Sequence, residues 1–82
     1  MYDIILTNRA VTDIYKLDPS IKRRIGKKIR QYAADPYYYA TKLNREELGS
    51  FRFRVGDYRI IFDVDGNNII ILRVGHRSEI YK

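Results

Sequence analysis

The sequence contains no cysteine and no tryptophan, and it has a single histidine and two prolines. Without cysteine the chain can form neither a disulfide bond nor a thiolate metal site. It also has no run of about 18 apolar residues, so no membrane-spanning helix is predicted. The opening residues Met1-Tyr2-Asp3 lack the basic region that begins a signal peptide. We therefore expect a soluble, cytoplasmic protein with no membrane partner.

Length and charge set further bounds. The 82 residues are enough for one domain spanning 1–82. A chain of this size buries only roughly 60–65% of the surface that its unfolded form exposes. Sixteen Lys and Arg against ten Asp and Glu give a net charge of +6. This excess favours a polyanionic partner such as nucleic acid, or an acidic protein. The alternative is a basic domain whose charge has no binding role.

The first half of the sequence predicts a strand and then two helices. The strand runs from Tyr2 to Leu6, and Thr7 or Asn8 is a suitable N-cap for the first helix. That helix ends at Asp18-Pro19, because proline disfavours helix in the residue before it and suits the first position of a new helix. Each helix has an apolar stripe, formed in the first by Val11, Ile14 and Leu17 and in the second by Ile21, Ile25, Ile29 and Tyr32.

The second helix ends at Asp35-Pro36, and the residues from Tyr37 to Gly49 have no firm period. We predict a connection with a short turn there. The run Tyr37-Tyr38-Tyr39 has two interpretations, a platform on which RNA bases stack or aromatic packing over a helix end. Packing is the commoner role of such a run, and we favour it.

The last third of the chain predicts three strands. Ser50 to Val55 alternates Phe and Arg, and Gly56-Asp57 is a two-residue hairpin turn. Tyr58 to Val64 follows, then a second turn at Asp65-Gly66-Asn67, and then an apolar strand from Ile69 to Val74. The order β-α-α-β-β-β predicts an α+β fold in which a helix hairpin packs on one face of a small, mainly antiparallel sheet.

The first hairpin predicts a cluster of arginines on the other face of the sheet. With Gly56-Asp57 as the turn, Arg54 lies opposite Arg59 and Arg52 lies on the same face. Like charges facing each other destabilise a sheet, so this placement favours a bound anion. Guanidinium groups bind phosphate through a planar fork. The alternative is that the arginines only keep an open sheet face soluble.

The tail adds His76, Arg77 and Tyr81. Counting strand positions from the second turn places His76 on the arginine face, and Arg77 and Tyr81 can reach that face too. No cluster of acidic residues accompanies the histidine, so we predict no metal site. A lone histidine is more often structural than catalytic.

Two stretches of the sequence carry a resemblance to a known family. They are Phe51-Arg52-Phe53-Arg54-Val55-Gly56-Asp57-Tyr58-Arg59-Ile60-Ile61-Phe62 and the tail with Gly75-His76-Arg77 and Ile80-Tyr81. At this spacing the chain resembles the RelE branch of the RelE/ParE toxin superfamily. The resemblance implies a RelE-like fold and a ribosome-dependent nuclease that cuts mRNA in the decoding site. It also implies a RelB-like antitoxin, encoded alongside the toxin, that covers the basic face.

The reaction that the resemblance implies is attack of a ribose 2′-hydroxyl on the adjacent phosphate, with neither metal nor organic cofactor. Arg59 matches the family's sheet arginine, which contacts the scissile phosphate. Arg77 matches the tail arginine that stabilises the transition state, and Tyr81 matches a tyrosine that stacks on a base or orients the nucleophile. Arg52 and Arg54 are expected to bind the substrate.

The sequence departs from the family pattern at Arg52 and Arg54, where some members have lysines. A guanidinium does not release its proton under physiological conditions and so cannot be the general base. His76 is our first candidate for that role, while Glu46, Glu47 and Tyr81 remain open, as does catalysis by electrostatics and positioning. The alternative functions are a ParE-like toxin that poisons DNA gyrase and a non-catalytic member that binds RNA or an antitoxin.

Overall fold

A computed structural model describes residues 1–44 and 48–81. Within these ranges the chain forms a five-stranded sheet with the strand order β1-β5-β4-β3-β2, in which β1 is parallel to β5 and the other neighbours are antiparallel. The predicted α+β class and the helix hairpin are confirmed. In chain order the elements are β1 (Asp3–Leu6), α1 (Asn8–Tyr15), α2 (Pro19–Tyr32), α3 (Pro36–Tyr39), β2 (Thr41–Lys42), β3 (Phe51–Val55), β4 (Tyr58–Asp65) and β5 (Asn68–His76).

The two long helices begin where their capping residues predict. The Thr7 hydroxyl accepts the Ala10 N–H at 3.1 Å, and Pro19 occupies the first turn of α2. The apolar stripe of α2 is buried at Ile25 and Ile29, as predicted. In α1 the buried residue is Ala10, while Val11 is 51% exposed. The prediction that Val11 faces the core is wrong, because it lies about 100° round the helix from Ala10.

The main core lies between the helices and one face of the sheet, which we call the helix face. Phe53 and Phe62 are fully buried there, and their ring centroids lie 4.2 Å apart. Phe53 also contacts Tyr32 of α2, with centroids 5.0 Å apart. The alternation of β3 therefore sends its phenylalanines toward the helices and its arginines to the opposite side, as the sequence predicted.

The connection after α2 holds two short elements that the sequence did not predict, α3 and β2. Helical or strand periodicity is not recognisable over four or two residues, which explains the omission. Tyr39 stacks on Tyr32 with centroids 4.5 Å apart, and Tyr37 meets Phe51 edge-on at 5.5 Å. The packing interpretation is confirmed for these two tyrosines, while Tyr38 is 77% exposed.

A β-bulge in the last hairpin changes which face the end of β5 presents. Phe62 pairs with Ile71 but its neighbour Ile61 pairs with Arg73, so Leu72 is an extra residue in β5. Every residue after the bulge is displaced to the face opposite to the one that simple counting predicts. Val74, which we would otherwise place beside the arginines, is 2% exposed and belongs to the core on the helix face.

Asp13 of α1 fixes that helix to β5 beyond the end of β1. Its Oδ2 accepts hydrogen bonds from Arg73 Nε at 2.7 Å and from the Val74 N–H at 3.0 Å, and its side chain is only 10% exposed. We expect Asp13→Ala to lower the free energy of unfolding by about 2–3 kcal/mol, because it leaves a strand N–H and a half-buried cation without their acceptor. Urea unfolding followed by circular dichroism measures the change.

Asp57 provides the control for this prediction. Its carboxylate lies 3.6 Å from Arg77 Nε, but both side chains are more than half exposed. An exposed pair of this kind contributes little, so Asp57→Ala should change the free energy of unfolding by less than about 1 kcal/mol. Equal losses in the two variants would contradict the anchoring role of Asp13.

Candidate nucleic-acid interface and active site

The predicted register of the first hairpin is confirmed. Arg54 pairs with Arg59 and Arg52 pairs with Ile61, so the three arginines share the face of the sheet opposite the helices. We call this the arginine face. Because arginines stand directly opposite each other across β3 and β4, their repulsion is reduced when an anion binds between them.

Arg59 lies at the centre of the arginine face and is only 5% exposed. Its Nη1 donates to the carbonyl oxygens of Gly56 at 2.8 Å and of Tyr58 at 2.9 Å, which fixes the guanidinium over the hairpin turn. Burial and, to a smaller extent, the charge of Arg54 lower the pKa of Arg59 below its ordinary value. The folded chain therefore holds this positive charge at a cost that a phosphate would offset.

The burial of Arg59 corrects the expectation of an open sheet face. After β5 the chain folds back over the arginine face, and Ile80, 1% exposed, packs with Leu43 and Ile61 in a second small core. Leu48, Leu72 and Tyr81 pack against the same cluster. Ile80 lies over Gly75, the β5 residue that pairs with Arg59, while Arg54 on the other side of Arg59 stays exposed.

Arg52 and Tyr81 form one wall of a cleft of about 320 Å³ on this face. Arg52 Nη1 donates to the Tyr81 hydroxyl at 2.8 Å. The Nε of Arg52 is buried, and it has no hydrogen-bond partner among residues 1–44 and 48–81. The cleft is completed by Lys42, Leu43 and Asn44. An aromatic ring, a guanidinium and an amide at one opening are suited to a nucleotide.

Arg77 lies at the edge of the arginine face, where the C-terminal turn begins. Its backbone N–H donates to the Asp57 carbonyl at 2.8 Å, and its side chain is 62% exposed. Besides burial, the charges of Arg54, Arg52 and Arg77 lower the pKa of Arg59, whereas Tyr81 raises it. The structure thus brings together five of the six predicted site residues: Arg52, Arg54, Arg59, Arg77 and Tyr81.

His76 is the exception, and its predicted position on the arginine face is wrong. Because the bulge shifts β5, His76 pairs with Tyr58 on the helix face, and the two rings meet edge-on with centroids 5.4 Å apart. Its Nδ1 accepts the Ser78 N–H at 3.1 Å and lies 2.7 Å from the Ser78 hydroxyl. In this position the histidine stabilises the start of the C-terminal turn.

The other candidates for the general base are Glu46, Glu47 and Tyr81. Both glutamates lie outside the described residues. No group of three or more potential metal ligands occurs in the described parts of the chain, and no helix there is long and apolar enough to cross a membrane.

Comparison with known proteins decides the family. Residues 4–81 match the sequence profile of the family described as the ParE toxin of the type II toxin–antitoxin system, parDE. The chain belongs to the RelE/ParE toxin superfamily. The toxin RelG of Mycobacterium tuberculosis is 32% identical over 84 residues, covering 99% of this chain and 97% of the relative. The toxin RelE3 of Methanocaldococcus jannaschii is 30% identical over 82 residues, covering 95% and 93%.

Solved structures of RelE toxins share the fold of this toxin. A chain of the toxin–antitoxin complex RelBE2 from Mycobacterium tuberculosis has a TM-score of 0.84 at 32% identity, covering 93% of this toxin and 98% of that chain. The chain is thus a RelE-like toxin of a type II toxin–antitoxin system, and the resemblance inferred from the hairpin and the tail is confirmed.

Sequence reasoning missed three residues that surround the predicted site of this toxin. Lys42 and Asn44 line the cleft beside Tyr81, and Asp57 pairs with Arg77. The first two lie in and after β2, a strand too short to be recognised. Asp57 lies within the hairpin motif of residues 51–62. Its position in that tight turn, next to β5, is the one feature that could have indicated a role at the site.

Proposed function

We propose that this toxin is an mRNA endoribonuclease that cuts the codon in the decoding site of the ribosome. One observation supports it above the others. Arg52, Arg54 and the buried Arg59 share one face of the sheet, and the charges of Arg52, Arg54 and Arg77 act on Arg59, next to a tyrosine that borders a cleft. Such a concentration of donors around one point favours an anion that carries more than one charge in its transition state.

The reaction we propose uses a nucleophile supplied by the RNA. The ribose 2′-oxygen forms a bond to the neighbouring phosphorus and the bond from phosphorus to the 5′-oxygen breaks, leaving a 2′,3′-cyclic phosphate and a free 5′-hydroxyl. Arg59 and Arg77 stabilise the charge on the phosphate oxygens. Arg52 and Arg54 bind the adjacent backbone, and Tyr81 stacks on a base or orients the 2′-hydroxyl. Metal and organic cofactors have no part in this scheme.

Proton transfer is the part of the scheme to which the arginine face contributes least. Arginines cannot accept the 2′-hydroxyl proton, and His76 lies on the opposite face of the sheet. We therefore assign the rate enhancement mainly to positioning and electrostatic stabilisation, with the Tyr81 hydroxyl held by Arg52 as the nearest candidate for moving a proton. A slow intrinsic rate follows, and the ribosome is needed to bend the mRNA into an attacking geometry.

The first test of this proposal is the requirement for the ribosome. We expect the free toxin to leave a short synthetic RNA uncut at catalytic concentrations and to cut the same codon in a programmed ribosome. Mapping RNA ends and DNA damage together after induction in cells also distinguishes a nuclease from a toxin that poisons DNA gyrase. Codon-phased ends in translated messages support the nuclease, whereas DNA breaks with intact messages contradict it.

A second test removes one oxygen atom. Tyr81→Phe deletes the hydroxyl that accepts from Arg52 Nη1 but keeps the ring. A hydrogen bond to a charged group contributes about 1.5–3 kcal/mol, so we expect the single-turnover rate on ribosomes to fall about tenfold or more. Tyr58→Phe, on the helix face, is the matched control and should cut at the parent rate. No change in the Tyr81 variant would exclude the hydroxyl from the reaction.

The proposed regulator is a RelB-like antitoxin. RelE toxins of similar structure have been solved in complex with RelB. With a net charge of +6, this toxin is suited to an acidic segment that is disordered alone and folds on binding. Because ribosomes and mRNA are its proposed targets, we place the toxin in the cytoplasm. A member that only binds RNA or antitoxin would show the complex without any cleavage.

A further inference from the structure

His76 lies at the junction between β5 and the C-terminal turn, which comprises residues 77–81. Its carbonyl oxygen accepts hydrogen bonds from the Glu79 N–H at 2.9 Å and from the Ile80 N–H at 3.0 Å. Its ring Nδ1 accepts the N–H of Ser78, the second residue of the turn, at 3.1 Å. A helix N-cap makes the same set of bonds, because the first N–H groups of a helix have no intrahelical partner. His76 therefore caps the C-terminal turn with both its main chain and its side chain.

The capping atom of His76 is a ring nitrogen, although the usual N-cap residues, Ser, Thr, Asp and Asn, use a side-chain oxygen. A main-chain N–H can only donate, so Nδ1 is the acceptor and the ring proton lies on Nε2. The Ser78 hydroxyl lies 2.7 Å from the same nitrogen. The cap thus depends on one acceptor atom attached to Cγ, and the Oδ1 of an asparagine is attached to Cγ in the same way.

The sheet fixes the ring that makes this cap. His76 pairs with Tyr58 of β4, and the two rings meet edge-on with centroids 5.4 Å apart. The next residue of β4 is Arg59, whose Nη1 donates to the Tyr58 carbonyl at 2.9 Å. The same stretch of β4 therefore orients the Arg59 guanidinium and the capping ring, and the cap sets the position of the C-terminal turn relative to Arg59.

The C-terminal turn carries two of the residues assigned to the reaction. Arg77 is its first residue, and its N–H donates to the Asp57 carbonyl at 2.8 Å. Tyr81 is its last residue, and its hydroxyl accepts from Arg52 Nη1 at 2.8 Å. Between them Ile80 is buried in the second small core, but apolar contact is not directional. The directions in which Arg77 and Tyr81 point therefore depend on the hydrogen bonds that begin the turn.

We propose that His76 is a positioning residue that holds Arg77 and Tyr81 on the arginine face by capping the C-terminal turn through Nδ1. It acts through these two residues and does not contact the RNA, because its own ring lies on the helix face. The effect on cleavage rests on the proposed nuclease function, whereas the effect on the turn does not. A displacement of about 1 Å at a reacting centre can lower a rate about 10²-fold, so a lost cap has a measurable effect.

Two substitutions separate the acceptor from the ring. His76→Asn keeps an acceptor on Cγ but loses the ring, whereas His76→Phe keeps an aromatic ring against Tyr58 but has no acceptor. The assay is single-turnover cleavage on programmed ribosomes at saturating toxin, where an unfolded fraction of the toxin does not change the rate constant. We expect His76→Phe to lower this constant about tenfold or more, with the half-saturating toxin concentration within about threefold of the parent's. His76→Asn should keep both values within about threefold.

Nuclear magnetic resonance of the free toxin tests the cap without any cleavage. The Ser78 amide should be protected from exchange in the parent and in His76→Asn and should exchange quickly in His76→Phe. Nuclear Overhauser contacts between the Tyr81 ring and the Arg52 side chain should be lost in His76→Phe alone.

The proposal is overturned if His76→Phe cuts at the parent rate, or if it keeps the Ser78 protection and the Tyr81 contacts. It is also overturned if His76→Asn is impaired as much as His76→Phe, because the ring and not the acceptor then matters. If the parent toxin itself leaves mRNA uncut on ribosomes, the proposed nuclease function fails. The Ser78 and Tyr81 measurements still decide in that case whether His76 positions the turn.

Discussion

Arg59→Ala is expected to lower the rate of mRNA cleavage on ribosomes by about 10²–10³-fold, because it removes a fixed charge aimed at the reacting phosphate. The guanidinium is held in place before the substrate arrives, with Nη1 bound to the carbonyls of Gly56 and Tyr58. A single-turnover assay on programmed ribosomes measures the loss. Arg23→Ala removes the same charge from the surface of α2 and should stay within about threefold of the parent.

The effect of Arg59→Ala on stability should be small, although the residue is buried. Two hydrogen bonds of about 1 kcal/mol each are lost. Against this, the pKa of Arg59 is lowered by burial and by Arg54, which means that the folded chain binds this proton less tightly than the unfolded chain does. At neutral pH the charge therefore costs folding free energy, and removing it recovers that cost. We expect the free energy of unfolding to change by less than about 2 kcal/mol.

The hairpin register and the fold class were predictable because they depend on local rules. A two-residue glycine turn fixes which residues of β3 and β4 face each other, and strict alternation fixes their faces. The position of His76 was not predictable, since it depends on one extra residue, Leu72, inserted among apolar residues with no sequence signal. The bulge reverses the face of everything that follows it in β5.

The burial of Arg59 shows a second limit of sequence reasoning. Strand alternation predicts the side of the sheet on which a residue lies, but not what covers that side. The C-terminal turn brings Ile80 back over the arginine face by a tertiary contact with Leu43 and Ile61, and neither partner is near it in sequence. The candidate site was therefore predictable as a set of residues and a face. Its solvent exposure was not, and neither was the cleft beside β2.

Phe53→Ala should have the opposite effect to Arg59→Ala, lowering the free energy of unfolding by about 3–5 kcal/mol. Phe53 is fully buried, its ring lies 4.2 Å from that of Phe62 and 5.0 Å from that of Tyr32, and truncation leaves a cavity among three elements. For a domain of this size each kcal/mol corresponds to about 4–8 °C in the melting temperature. The variant should thus melt at least about 12 °C below the parent.

Phe51→Ala is the matched control, the same change two residues earlier on the same face of β3. Phe51 is only partly buried, with its ring 5.6 Å from Phe62, so its loss should be clearly smaller. Below its melting temperature, Phe53→Ala should cut mRNA within about threefold of the parent, since the arginine face is untouched. If Arg59→Ala melts as early as Phe53→Ala, then Arg59 is primarily structural and its assignment to the phosphate is wrong.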